Sequence, residues 1–130
     1  MIYGIGNDLI EISRVENVVN KNHGKKFVNR ILTPQEKNIY MKREKNRVEF
    51  IAGRFAAKEA VVKALGCGIG KKIGFQDINI VPDELGKPIC HISGQILEFF
   101  GISSESKIHI SITHSVTMAA AFVVVEILND

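Results

Sequence analysis

The sequence predicts one α+β domain over residues 1–130, and three observations carry that prediction. The chain is long enough, and at 45% apolar rich enough, to bury a core of its own. Helical signatures dominate the first half, and β-type runs bounded by turn residues dominate the second. No internal repeat, low-complexity stretch or interdomain linker breaks the sequence.

Taken in order, Ile2 to Leu9 reads as a strand whose Ile2, Gly4, Gly6 and Asp8 share one face. The glycines there permit close approach of another backbone or of a ligand. Ser13-Arg14-Val15-Glu16 has capping-box spacing and predicts a helix from Arg14 to about Asn22, stopping near Gly24. Thr33-Pro34-Gln35-Glu36 is a second capping box, with proline at the first helical position, and predicts a helix to about Lys45. A long helix from about Val48 to Leu65 should end at Gly66, followed by a glycine-rich loop to Gly74. Gln76 to Val81, Pro88 to Ile92 and Lys107 to Thr113 are β-type, with a turn at Asp83 to Lys87 and a short helix around Gln95 to Phe100. Met118 to Ile127 is a final, mostly buried strand, apolar on both faces from Met118 to Val125.

Composition excludes several classes of function. The longest apolar run, Met118 to Val125, is far too short to span a bilayer, so no membrane partner is expected. Cys67 and Cys90 have neither metal-ligand nor redox spacing, and nothing at the N-terminus resembles a secretory signal. Reduced thiols and a cytoplasmic location are expected. Net charge is +3, but Ser13 to Arg54 holds eleven Lys/Arg against four Asp/Glu, an excess of +7. That excess reads either as a solvated basic surface or as a docking face for an acidic partner. Nucleic acid is disfavoured, because aromatics are not interleaved with the basic residues and no nucleic-acid module is recognisable.

Two carboxylates stand out. On the long helix, Ala57, Ala60, Val61, Ala64 and Leu65 form one apolar face, with Phe55, Ala56, Glu59, Val62 and Lys63 opposite. Glu59 and Lys63 could be an exposed ion pair, worth about 0.3–0.5 kcal/mol. The apolar neighbours on that face suit a partly buried pair completed by a cation and an anion instead. Asp8 could simply stabilise a nearby helix N-terminus. With Glu59, however, it offers two hard oxygen ligands, the count typical of a Mg²⁺ that takes its other ligands from water and phosphate. A zinc site is disfavoured for want of paired His or Cys at ligand spacing.

Two phosphate motifs fail. Gly66-Cys67-Gly68-Ile69-Gly70-Lys71-Lys72 lacks the first glycine and the Ser/Thr of a P-loop and follows a helix, not a strand. Gly4-Ile5-Gly6-Asn7-Asp8-Leu9 lacks the third glycine of a dinucleotide fingerprint. In the third segment, Ile108, Ile110 and Ile112 alternate with His109, Ser111 and Thr113, and His114 and Ser115 extend the polar stripe. A half-exposed antiparallel strand accounts for this, and so would a set of phosphate-binding donors.

In order and spacing, Gly4-Ile5-Gly6-Asn7-Asp8-Leu9-Ile10-Glu11-Ile12-Ser13-Arg14-Val15, Phe50-Ile51-Ala52-Gly53-Arg54-Phe55-Ala56-Ala57-Lys58-Glu59-Ala60 and His109-Ile110-Ser111-Ile112-Thr113-His114-Ser115 resemble the small 4′-phosphopantetheinyl transferases of the holo-[acyl-carrier-protein] synthase type. The resemblance covers essentially the whole chain. It implies an α+β domain of that family's kind, with an antiparallel sheet packed against a long helix. It also implies transfer of 4′-phosphopantetheine from coenzyme A to a serine of apo acyl carrier protein, with release of adenosine 3′,5′-bisphosphate, in fatty acid biosynthesis. Asp8, Glu59 and Lys63 would be catalytic, the two carboxylates holding Mg²⁺ and Lys63, with Lys58, neutralising phosphate charge. Arg54, Gly66, Gly86, Lys87, Pro88, His109 and Thr113 would join Lys58 and Lys63 in binding coenzyme A. The proton acceptor stays open between water and a carboxylate. A basic helix bearing Arg14, Lys21, Lys25, Lys26 and Arg30 would dock the carrier, and the chain would form a homotrimer with sites between neighbours. The competing classes are a basic binding module without catalysis and a Mg²⁺-dependent nucleotide hydrolase.

Overall fold

The computed structural model describes residues 1–128. Strand β1 (Ile2–Glu11) leads into helices α1 (Ile12–Val19), α2 (Gly24–Ile31), α3 (Pro34–Lys42) and α4 (Arg47–Leu65). A 3₁₀ turn (Phe75–Asp77) precedes the hairpin β2 (Ile78–Pro82) and β3 (Pro88–Ile92), then α5 (Gly94–Phe99), β4 (Lys107–His114) and β5 (Met118–Glu126). The fold is α+β, with an antiparallel sheet ordered β1-β5-β4 and a separate β2-β3 hairpin. Among the described residues no helix is long and apolar enough to cross a membrane.

Helix α4 packs across the sheet because β1 presents no side chains where the two meet. A Cβ built on Gly4 would lie 2.0 Å from the Ala64 carbonyl oxygen, and one on Gly6 would lie 2.0 Å from that of Ala60. The close approach expected of these glycines is therefore to the backbone of α4. Two apolar clusters flank the helix. One joins Ala60, Val61, Val62 and Leu65 to Ile78, Ile80, Ile110, Val123 and Val125. The other joins Phe50, Ile51 and Ala52 to Ile12, Val15, Val28, Ile31, Leu32 and Tyr40. Ala56 and Val62, expected on the charged side, are buried, because Ile78 and Ile80 of the hairpin cover that side too.

Three local expectations need correction. The Ser13–Glu16 box does not cap a helix: α1 begins at Ile12, its N-cap is Glu11, and Ser13 lies within the first turn. The cause is non-local. Strand β1 pairs with β5 through Glu11, and the Ile12 N–H donates to the Thr117 carbonyl at 2.9 Å, so the chain turns directly from strand into helix. Gly24 opens α2 instead of ending α1, at a point where a Cβ would lie 2.0 Å from the Val19 carbonyl oxygen. Gln76 and Asp77, expected to open a strand, lie instead in a 3₁₀ turn from Phe75 to Asp77, held where Asp77 Oδ2 accepts from the Gly74 N–H at 2.8 Å. By contrast, the Thr33–Glu36 box forms with both of its hydrogen bonds, although α3 ends at Lys42 and not Lys45. Gly66 caps α4 in the left-handed region at φ +81°.

Candidate active site

Helices α1 and α2, the end of β1 and the middle of α4 enclose a cleft of about 340 Å³. Its walls are apolar, from Val15, Val18, Phe27 and Phe55, and its polar groups are Asp8, Glu59 and Arg14. Asp8 points to α4 because it continues the Gly4–Gly6 face of β1, and Glu59 meets it from one turn before Lys63. Lys63 Nζ lies 3.1 Å from Asp8 Oδ1, so this lysine bridges helix to strand. Burial pushes the Glu59 carboxyl above its usual pKa, and the charge of Asp8 pushes it further, against the opposing pull of Lys63 and Arg30.

This arrangement fits a divalent cation of a particular kind. Among the described residues no group of three or more His, Cys, Asp or Glu could form a cage. Two carboxylates on separate elements, open to an apolar-walled cleft, could hold a cation that keeps waters and shares phosphate oxygens, as Mg²⁺ does.

The other predicted binding residues fall into separate places. Arg54, Gly86 and Pro88 line a second cleft of about 380 Å³, together with Arg43, Phe50 and His114. The Arg54 guanidinium stacks 4.4 Å from the Phe50 ring centroid while its Nε donates to the Ile80 carbonyl at 3.0 Å. Arg43 covers the same ring at 5.3 Å. Gly86 sits at φ +86°, and Asp83 Oδ1 accepts from the Leu85 and Lys87 N–H groups at 2.9 Å each, which shapes the turn and leaves the Lys87 side chain in solvent. His114 departs from the polar stripe: its Nδ1 lies 3.5 Å from Glu49 Oε2, on the core side of the sheet.

His109, Ser111 and Thr113 occupy the sheet face opposite α4, since Ile110 between them is buried in the core. They share that outer face with Ile5, Leu9 and Phe122, which are 71%, 64% and 59% exposed. Within one chain, therefore, these donors do not meet Asp8 and Glu59. The His109 ring hydrogen-bonds Glu126 at 2.9 Å and holds that carboxyl below its usual pKa.

Lys58 is corrected outright. It is fully buried, and its ammonium donates to Glu36 Oε1 at 2.6 Å, the Ile31 carbonyl at 2.7 Å and the Phe75 carbonyl at 3.0 Å. All three donors are used inside the protein, so none is left for a phosphate. Gly66 is the C-cap of α4, with open space beside its α-carbon. The basic residues lie on two helices instead of one, Arg14 on α1, Lys21 in the turn after it, and Lys25, Lys26 and Arg30 on α2, and all are exposed. Sequence reasoning missed Glu36 as a buried anion and Phe50 as an arginine platform. A lysine flanked at i+3 and i+4 by Val61 and Val62 was the available signal for the former.

A family model described as the 4′-phosphopantetheinyl transferase superfamily matches residues 4–123. The holo-[acyl-carrier-protein] synthase of Geobacillus sp. (strain WCH70) is 47% identical over 130 residues, covering 99% of this chain and all of that protein. That of Clostridium novyi (strain NT) is 44% identical, covering 100% of this chain and 91% of its own length. Among solved structures, the Bacillus anthracis holo-(acyl-carrier-protein) synthase in complex with CoA (3′,5′-ADP) superposes with a TM-score of 0.83 at 44% identity, covering 98% of this chain and 99% of that one. The Neisseria meningitidis synthase gives 0.86 at 40% identity, covering 97% and 99%.

Proposed function

The chain belongs to the 4′-phosphopantetheinyl transferase superfamily, and from that membership we propose that it moves 4′-phosphopantetheine from coenzyme A to a serine of apo acyl carrier protein. The observation that carries this reading is the meeting of Asp8 and Glu59, from distant parts of the chain, in one apolar-walled cleft beside Lys63. A Mg²⁺ held by these two carboxylates would neutralise the pyrophosphate as the leaving group departs. The serine oxygen forms a bond to the phosphorus on the pantetheine side, the bond from that phosphorus to the bridging oxygen breaks, and adenosine 3′,5′-bisphosphate leaves. The serine proton passes to water or to a carboxylate of the pair.

Arg54 and the Gly86–Pro88 turn are assigned to the nucleotide, with His109 and Thr113 contributed from the outer sheet face. Those last two reach a coenzyme only if a neighbouring copy supplies the carboxylate pair, which is the reason for proposing a homotrimer with sites between neighbours. The exposed Ile5, Leu9 and Phe122 support that assembly. The proposal also takes residues 1–130 as one catalytic domain working in the cytoplasm, in fatty acid biosynthesis.

Incubation with coenzyme A, Mg²⁺ and apo carrier protein tests the reaction. The carrier should gain the mass of one phosphopantetheine, with one equivalent of adenosine 3′,5′-bisphosphate released. Nucleotide release without an adduct would instead identify a hydrolase.

Two substitutions refine the roles. Lys63 pairs with Asp8 but is half exposed, so its ammonium has room to turn from that carboxylate toward a phosphate in the cleft. Lys63→Ala should lower kcat by more than it raises KM for coenzyme A, because a charge used chiefly in the transition state affects the chemical step most. A change confined to KM would make it a binding residue. On the docking face, Lys21→Glu or Lys26→Glu should raise KM for the carrier and leave that for coenzyme A unchanged, and added salt should act in the same direction. Lys71→Glu, outside that face, is the control. An equal effect there would make overall charge responsible.

A further inference from the structure

The buried pair of Lys58 and Glu36 joins more of the molecule than an ion pair needs to. Lys58 holds the carbonyl of Ile31, the last residue of α2, and that of Phe75 in the 3₁₀ turn. Glu36 Oε1 also accepts from the Thr33 N–H at 2.8 Å, and its Oε2 accepts from the Ile80 N–H at 2.6 Å. One ammonium and one carboxylate thereby fasten α2, the start of α3, α4, the 3₁₀ turn and β2 at a single point.

The position of that point on the chain matters. Lys58 immediately precedes Glu59, and Ile31 immediately follows Arg30 on the basic surface of α2. The wall of the first cleft that α2 supplies, Phe27, lies one turn before Ile31 and stands opposite Phe55 of α4, their ring centroids 6.2 Å apart. Helices α2 and α4 share an apolar cluster through Val28, Ile31, Phe50 and Ile51, with Phe27 against Phe55. A hydrogen bond from a lysine on one helix to the terminal carbonyl of the other fixes the register along the axis.

We propose that Lys58 is a positioning residue that, with Glu36, sets the carrier-facing helix α2 in register with the Asp8–Glu59 cleft. This rests on the reading given under Proposed function. Its consequence is specific: loss of the pair displaces the carrier's serine relative to the coenzyme, while the nucleotide cleft around Arg54, Gly86 and Pro88 stays in place where residue 36 still accepts from the Ile80 N–H, since the Ile80 carbonyl holds Arg54. Misplacement of a reacting group by about 1 Å can cost about a hundredfold in rate.

The test compares native protein with Lys58→Met and with Lys58→Met/Glu36→Gln. The single variant leaves Glu36 buried without its partner, and unfolding is a real outcome for it. The double variant removes both charges together, which avoids a lone buried charge, although the Ile31 and Phe75 carbonyls lose their donor, and the amide oxygen introduced by Glu36→Gln can still accept from the Ile80 N–H. In the folded double variant, kcat/KM for apo carrier should fall about a hundredfold, while KM for coenzyme A and calorimetric affinity for adenosine 3′,5′-bisphosphate should stay within about threefold. A lowered melting temperature with native kinetics per folded molecule would overturn the role, making the pair purely stabilising. So would a double variant that does not fold. If native protein makes no carrier adduct, the transferase reading itself fails, and that result is distinguishable from native transfer with unaltered variants, which overturns only the role of Lys58.

Discussion

Asp8→Ala and Glu59→Ala should each lower turnover by on the order of a hundredfold or more, the size of loss seen when one preorganised group facing transition-state charge is removed. Folding should survive both changes. Glu59 has its pKa raised in the fold, first by burial and then by Asp8, so its ionised form works against folding. The stability tied to this group is fully present below its unfolded pKa and is lost as pH rises through the raised folded value. At neutral pH and without metal, Glu59→Gln should therefore melt no lower than native protein, and its advantage should vanish on acidification. Thermal melts at two pH values read this directly. A variant that is inactive because it is unfolded would show that the pair is structural.

The second large effect is on the fold. Gly6→Ala should destabilise by more than about 3 kcal/mol, beyond the usual cost of a crowded core substitution. The new Cβ would meet the Ala60 carbonyl oxygen at 2.0 Å and the Ala64 nitrogen at 2.8 Å. Both are backbone atoms inside a helix, so neither can turn aside as a side chain would. Strand β1 would have to lift from α4, carrying Asp8 away from Glu59. Gly68→Ala serves as control, since nothing lies within 4 Å of the added atom. Denaturant unfolding of the two variants should separate them clearly, and a Gly6→Ala protein of native stability would contradict the helix–strand packing described here.

What could be read from the sequence divides along the range of the interactions. The Thr33–Glu36 box and the Gly66 cap form as expected, because their partners lie within a few residues. Ser13–Glu16 has the same local pattern and fails, because the pairing of Glu11 with Met118 fixes where the helix starts. Asp8 and Glu59 were identifiable from strand parity, helix periodicity and family resemblance, and the structure brings them to one cleft. The error at Lys58 has a clear origin. A lysine beside a candidate ligand reads as a phosphate binder until Glu36, 22 residues away, is found against it. The separation of His109 and Thr113 from the carboxylates was equally hidden, since it depends on which sheet face receives α4.

The central claim is that Asp8 and Glu59 together hold one divalent cation for the pyrophosphate. Calorimetric titration of Mg²⁺ into native protein and into the Asp8→Ala/Glu59→Ala variant, each with coenzyme A present, measures this most directly. Native protein should take up one ion per chain, and the variant should bind at least about tenfold more weakly. Equal stoichiometry and affinity in the two proteins would contradict the assignment.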